Sequence, residues 1–103
     1  MVYTKIVRFE WDHAKAKRNY SKQGITFEIA ITVFDDPFVL IDRDEKHSTS
    51  IEIRETLIGE SDAGVLIVIF TVRSHGTIYR IISARKASRK ERKLYEEAKN
   101  IPF

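Results

Sequence analysis

Residues Arg80 to Arg89 read Arg-Ile-Ile-Ser-Ala-Arg-Lys-Ala-Ser-Arg, an apolar stretch of strand type that runs directly into the basic start of a helix. Backbone and cations therefore meet on one small surface. Around it the candidate chemistry is cationic: Arg54 on a strand, Arg73 beside a turn, Arg80, Arg85 and Lys86 on or leaving the last strand, then Arg89, Lys90, Arg92 and Lys93 on a helix. A planar guanidinium holds two phosphate oxygens at once and stabilises the charge of a pentacoordinate transition state. Such chemistry suits a phosphodiester. RNA is cut without a metal when its own 2′-hydroxyl is the nucleophile, given a group to take that proton, cations for the phosphate and an acid for the departing 5′-oxygen. His47 titrates near neutrality and would serve as base or acid, although a histidine in a charged stretch is equally a plain surface residue. On a regular strand Arg80, Ile82, Ala84 and Lys86 share one face and Tyr79, Ile81, Ser83 and Arg85 the other, so Arg80 and Arg85 converge only if the strand bulges or ends near Ala84.

Each cation also has a plainer reading. Arg89, Lys90, Arg92 and Lys93 would make an ordinary solvated helix face. Arg54 beside Glu52 and Glu55 would make a cross-strand ion pair of little energetic weight. Other mechanisms lack their residues: there is no glycine-rich phosphate loop, no His or Asp spacing suited to a metal, no nucleophile elbow and no cysteine. No metal and no cofactor is expected. Charge is unevenly placed, since residues 73–103 carry nine Lys/Arg against three Asp/Glu, net +6, and residues 1–72 carry nine against twelve, net −3. A basic end of this kind favours a polyanionic partner.

The elements that must position these residues follow from local signals. Asp12 is a predicted N-cap with Trp11 as the apolar residue before it, and Gly24 ends the first helix. Thr26 caps a second, in which Phe27, Ala30, Ile31 and Phe34 make one apolar face until Asp35-Asp36-Pro37 stops it. Phe38 to Ile41 reads as a short strand and Asp42 to Ser50 as an exposed loop. Ile51 to Ile58 alternates as a half-buried strand, Gly59 to Gly64 turns it, and Val65 to Val72 is apolar throughout, as a central strand is. Ser74-His75-Gly76 suits a hairpin turn leading into a strand over Thr77 to Ala84. Ser88 and Glu91 form a predicted capping box for a last helix whose buried side is Leu94, Tyr95, Ala98 and Ile101. The expected class is α+β: two N-terminal helices, an antiparallel sheet of about four strands, with a short extra strand at Lys5 to Glu10 as an option, and a C-terminal helix. At 103 residues, 43% hydrophobic and 32% charged, one domain over 1–103 is expected. The longest apolar run, Val65 to Phe70, is far short of the roughly 20 residues a membrane span needs, and an N-terminus without an apolar signal leaves a cytoplasmic location as the default.

The pattern formed by Phe9-Glu10-Trp11-Asp12, Lys15, Asn19, Gly24, Phe27, Ala30, Phe34, Asp36, His47, Glu52, Arg54, Gly59, the segment Arg80-Ile81-Ile82-Ser83-Ala84-Arg85-Lys86-Ala87, then Glu91-Arg92 and Tyr95 resembles the BrnT family of bacterial toxins over nearly the whole chain. The first helix closes Lys22-Gln23-Gly24 where the family pattern has Lys-His-Gly. The resemblance implies a RelE-like fold and a ribonuclease toxin of a type II toxin-antitoxin system that arrests translation and growth. It also implies a BrnA-like antitoxin whose DNA-binding segment brings the complex to operator DNA, where it represses its own operon. By match to the motif, Arg54, Arg80 and Arg85 are the expected catalytic residues, with His47 and Lys86 as further candidates and Arg73, Arg89, Lys90 and Arg92 as RNA contacts. The alternative is a non-catalytic module that holds nucleic acid or an acidic protein on the same basic surface.

Overall fold

The computed structural model describes residues 6–43 and 53–101. Its elements are β1 (Arg8–Glu10), α1 (His13–Gln23), α2 (Phe27–Ala30) continued by a 3-10 turn (Ile31–Asp35), β2 (Leu40–Arg43), β3 (Ile53–Ser61), β4 (Gly64–Arg73), β5 (Ile78–Lys86) and α3 (Arg89–Lys99). The predicted helix starts are all present. Asp12 accepts a hydrogen bond from the Lys15 backbone at 3.0 Å, Thr26 from Ile29 at 3.1 Å, and Ser88 and Glu91 make both bonds of their capping box. Gly24 ends α1 at φ +70°, which costs a residue without Cβ nothing.

The sheet runs β1-β5-β4-β3-β2, and the class is α+β as expected. It is mixed rather than a pure antiparallel meander, because β1 pairs with β5 in parallel, from Arg8 opposite Ile78 to Glu10 opposite Arg80. Helices α1 and α2 carry the chain from β1 to β2 at the opposite edge, and the meander β2 to β5 returns it beside β1, a long connection of the kind parallel pairing requires. Several boundaries also differ from expectation: β2 runs on through Asp42 and Arg43, expected to begin a loop, and β5 runs to Lys86 rather than ending at Ala84. The second strand starts at Leu40 rather than Phe38, because the Asp36 side chain accepts the Phe38 N–H at 2.9 Å and holds a turn around Pro37. Gly59 lies inside β3 rather than in a turn: it is buried where a Cβ would come within 2.9 Å of Val33 and Val39.

Ladder register sorts the sheet residues onto two faces. The inner face carries Leu57, Leu66, Val68, Phe70, Ile81 and Ala84, which pack with Ile25, Phe27, Ala30 and Val33 as the main core. Phe34 sits among Phe9, Phe70 and Tyr79 at ring separations of 4.8, 5.1 and 5.6 Å. Asn19 closes the seam between α1 and β5: beyond Arg80 the β5 edge has no β1 partner, and Asn19 exchanges two hydrogen bonds with the Ala84 backbone, at 2.8 and 3.1 Å.

Helix α3 lies across the far strand ends, bonded to Arg85 of β5 at its first turn and within 3.9 Å of Glu60 of β3 at Lys99. Its buried side is narrower than expected. Tyr95 is fully buried, whereas Leu94 and Ile101 are 54% and 62% exposed. The Tyr95 hydroxyl donates to Asp36 at 2.6 Å, and the same carboxylate oxygen accepts the Glu60 N–H at 2.8 Å, so one polar anchor fixes the rotation of the helix.

Candidate active site

The convergence of Arg80 and Arg85 depends on a bulge, and β5 has one. The β4–β5 register shifts between Ile69 and Phe70, so that Ser83 faces Ile69 while Ile81 faces Phe70 and Ile82 is the extra residue. An inserted residue reverses the face of everything beyond it. Arg80, Ser83 and Arg85 therefore share the outer face, and Lys86 is carried to the inner one.

Across the outer face one rung reads Arg54, Thr71, Arg80 and Glu10, on β3, β4, β5 and β1. Arg54 and Arg80 are rooted two strand spacings apart, about 10 Å, on either side of Thr71. Thr71 is 0% exposed, and its Oγ1 makes no hydrogen bond. A buried hydroxyl without a partner costs about 1–3 kcal/mol. Arg54 is half-buried, with its Nε sealed from solvent. Arg80 donates to Glu10 at 3.3 Å and keeps 27% of its side chain exposed. The Asp12 carboxyl lies below its ordinary range, chiefly through the Lys15 N–H and in smaller part through the charges of Lys15 and Arg80. Arg80 thus stands beside the start of α1. The rung places two guanidiniums and a carboxylate on one face, a set able to hold a phosphate and place a proton acceptor nearby.

Arg85 lies four β4 residues along the same face, roughly 14 Å away. It is committed to Glu91 through two bonds of 2.7 and 2.8 Å, a bidentate pair that joins the end of β5 to the first turn of α3. Those bonds, with the Ser88 N–H, pull the Glu91 carboxyl down to about 2, and the pair raises Arg85. Arg73 shares the outer face two residues beyond Thr71. Arg89, Lys90 and Arg92 are exposed on α3, away from the rung. His47 lies outside the described residues, as does Glu52. Among the described residues no three His, Asp or Glu side chains group closely enough to hold a metal ion.

Two members of the rung escaped sequence reasoning. Thr71 sits inside an apolar strand and looks like any β-branched residue. Glu10 did carry a signal, since it alternates with Phe9 and Trp11 in a segment that reads as a strand, but its partner is set by a parallel pairing that sequence does not reveal.

Residues 11–91 match the profile of a family described as "Ribonuclease toxin, BrnT, of type II toxin-antitoxin system". No curated protein matches the chain.

Proposed function

We propose, from the premise that this chain belongs to the BrnT family of ribonuclease toxins of type II toxin-antitoxin systems, that it cuts RNA without a metal at the Arg54–Thr71–Arg80 rung. The observation that carries this reading is the rung itself: Arg54 on β3 and Arg80 on β5 share the outer sheet face across the intervening β4, with Glu10 paired to Arg80. In the reaction the 2′-oxygen forms a bond to phosphorus as the bond to the 5′-oxygen breaks. The 2′-hydroxyl proton goes to a base, and an acid returns one to the leaving oxygen. Arg54 and Arg80 hold the non-bridging oxygens and offset the charge that builds on them. Glu10, the carboxylate beside Arg80, joins His47 and Lys86 as a candidate for proton transfer; Lys86 is the weakest, since it faces the other side of the sheet. Arg85 acts as a positioning residue, its guanidinium occupied by Glu91. Arg73 and the α3 cations Arg89, Lys90 and Arg92 serve as outlying RNA contacts.

A type II family implies an antitoxin partner. Our reading is a BrnA-like, DNA-binding antitoxin that neutralises the toxin by covering the basic end of β5 and α3, with the complex repressing its own operon. Growth arrest on expression of the chain alone, relieved by co-expression of the adjacent antitoxin gene, tests the toxin role. Arrest that persists with Arg54→Gln and Arg80→Ala combined, in a folded variant, overturns the site.

A further inference from the structure

Helix α1 carries Lys15, Lys17, Arg18 and Lys22 and no Asp or Glu. The negative balance of residues 1–72 hides this concentration of charge. Lys15, Arg18 and Lys22, spaced i, i+3 and i+7, fall on one side of the helix and line an open cleft of about 270 Å³ against Ile82 and Ser83 of β5. The cleft is preformed, because the paired Asn19–Ala84 bonds fix the helix to the strand near the middle of α1. It is also continuous with the rung: Ser83 shares the outer face with Arg80, two ladder steps or about 7 Å along β5. Unlike Arg80 and Arg85, which pair with Glu10 and Glu91, the three cleft cations form no ion pair among the described residues. Three exposed cations over roughly 10 Å of helix, with Asp12 near Lys15 as a negative neighbour, make a track for a chain of phosphates.

We propose that the cleft formed by Lys15, Arg18 and Lys22 of α1 with the bulged segment of β5 binds the sugar-phosphate backbone of single-stranded RNA flanking the cut position. The inference rests on the RNA-cleaving reading for its substrate. The β5 bulge has two consequences here, placing Arg80 and Arg85 on one face and presenting Ser83 to the α1 cations. The ligand is a phosphodiester rather than a base, since the cleft offers charge and hydroxyl but no aromatic platform.

The test is titration of a labelled 12-nucleotide 2′-O-methyl RNA, which cannot be cut, against wild type and the Lys15→Gln/Arg18→Gln/Lys22→Gln variant over a range of salt. All three side chains are exposed, and retained helical circular dichroism and melting temperature verify the fold. The expected result is at least a tenfold rise in Kd at low salt. The slope of log affinity against log salt should become shallower by about 2, the loss of three phosphate contacts at roughly 0.7 each. With cleavable RNA the loss falls on KM. Lys17→Gln, whose side chain lines a different groove beside Trp11 and Tyr20, should change Kd less than twofold. Unchanged Kd and slope in the triple variant overturn the proposal, as does a loss of antitoxin affinity with RNA binding intact, which would assign the cleft to the protein partner. Because the probe is not cut, the result stands apart from whether the rung cleaves RNA.

Discussion

Replacing Glu91 with Gln isolates the charge that joins β5 to α3. The carboxylate accepts from both Arg85 terminal nitrogens at 2.7 and 2.8 Å and from the Ser88 N–H at 2.8 Å. Glutamine keeps one acceptor for Ser88, so the helix cap survives while the ion pair is lost. Lowering the carboxyl from 4.5 to about 2 would correspond to about 3 kcal/mol by linkage alone. The side chains are 43% and 28% exposed, so solvent screening reduces that to about 1–2 kcal/mol. For a domain of this size the loss is a drop of about 5–10 °C in melting temperature at pH 7. The pH dependence has a definite sign. A carboxyl depressed in the folded state contributes its full stability above the unfolded value of 4.5 and loses it as pH falls toward about 2. Urea unfolding of wild type and Glu91→Gln at pH 7, 5, 4 and 3 should therefore give a gap that is constant above about pH 5 and narrows below it. A gap independent of pH, or none at pH 7, would refute the view that Arg85 is held by this charge.

Arg80→Ala should reduce RNA cleavage on the order of 100-fold or more while shifting the melting temperature by only a few degrees, read by single-turnover assay and circular dichroism, since it removes the proposed phosphate contact and one part-exposed ion pair. Tyr95→Phe should cost about 1.5 kcal/mol in urea unfolding, because it removes a 2.6 Å hydrogen bond to a carboxylate without changing the packed ring. Gly59→Ala should cost about 1–3 kcal/mol, since its methyl would press on Val33 and Val39 from 2.9 Å; a neutral result would show that the 3-10 turn yields freely.

Local chemistry was legible in the sequence. Asp12, Thr26 and Ser88 start their helices because capping needs only a side-chain oxygen and the next three residues. What depended on distant partners was not. The Ser88–Glu91 capping box is readable, yet Glu91 is also committed to Arg85, and that pair exists only because a bulge at Ile82 turns Arg85 to the outer face. The sequence stated the condition, a bulge near Ala84, without revealing whether it was met. Leu94 fits the apolar period of α3, but the Tyr95–Asp36 bond sets the rotation and leaves Leu94 outward. Apolar periodicity across Ile31 and Phe34 is real, although the backbone tightens to 3-10 there. The net −3 of residues 1–72 conceals the cations of α1, which are offset by acidic residues elsewhere in that stretch.

We propose RNA cleavage at the Arg54–Thr71–Arg80 rung with the 2′-hydroxyl as nucleophile. Its most direct test is single-turnover cleavage by purified wild type and Arg80→Ala in excess EDTA, on an RNA and on the same strand carrying one 2′-deoxynucleotide at the mapped cut position. Wild type should cut the RNA to a 2′,3′-cyclic phosphate end and leave the deoxy-substituted position intact, and Arg80→Ala should lower the rate on the order of 100-fold or more. Cutting at the deoxy position, a strict need for a divalent ion, or equal rates for wild type and Arg80→Ala would contradict it.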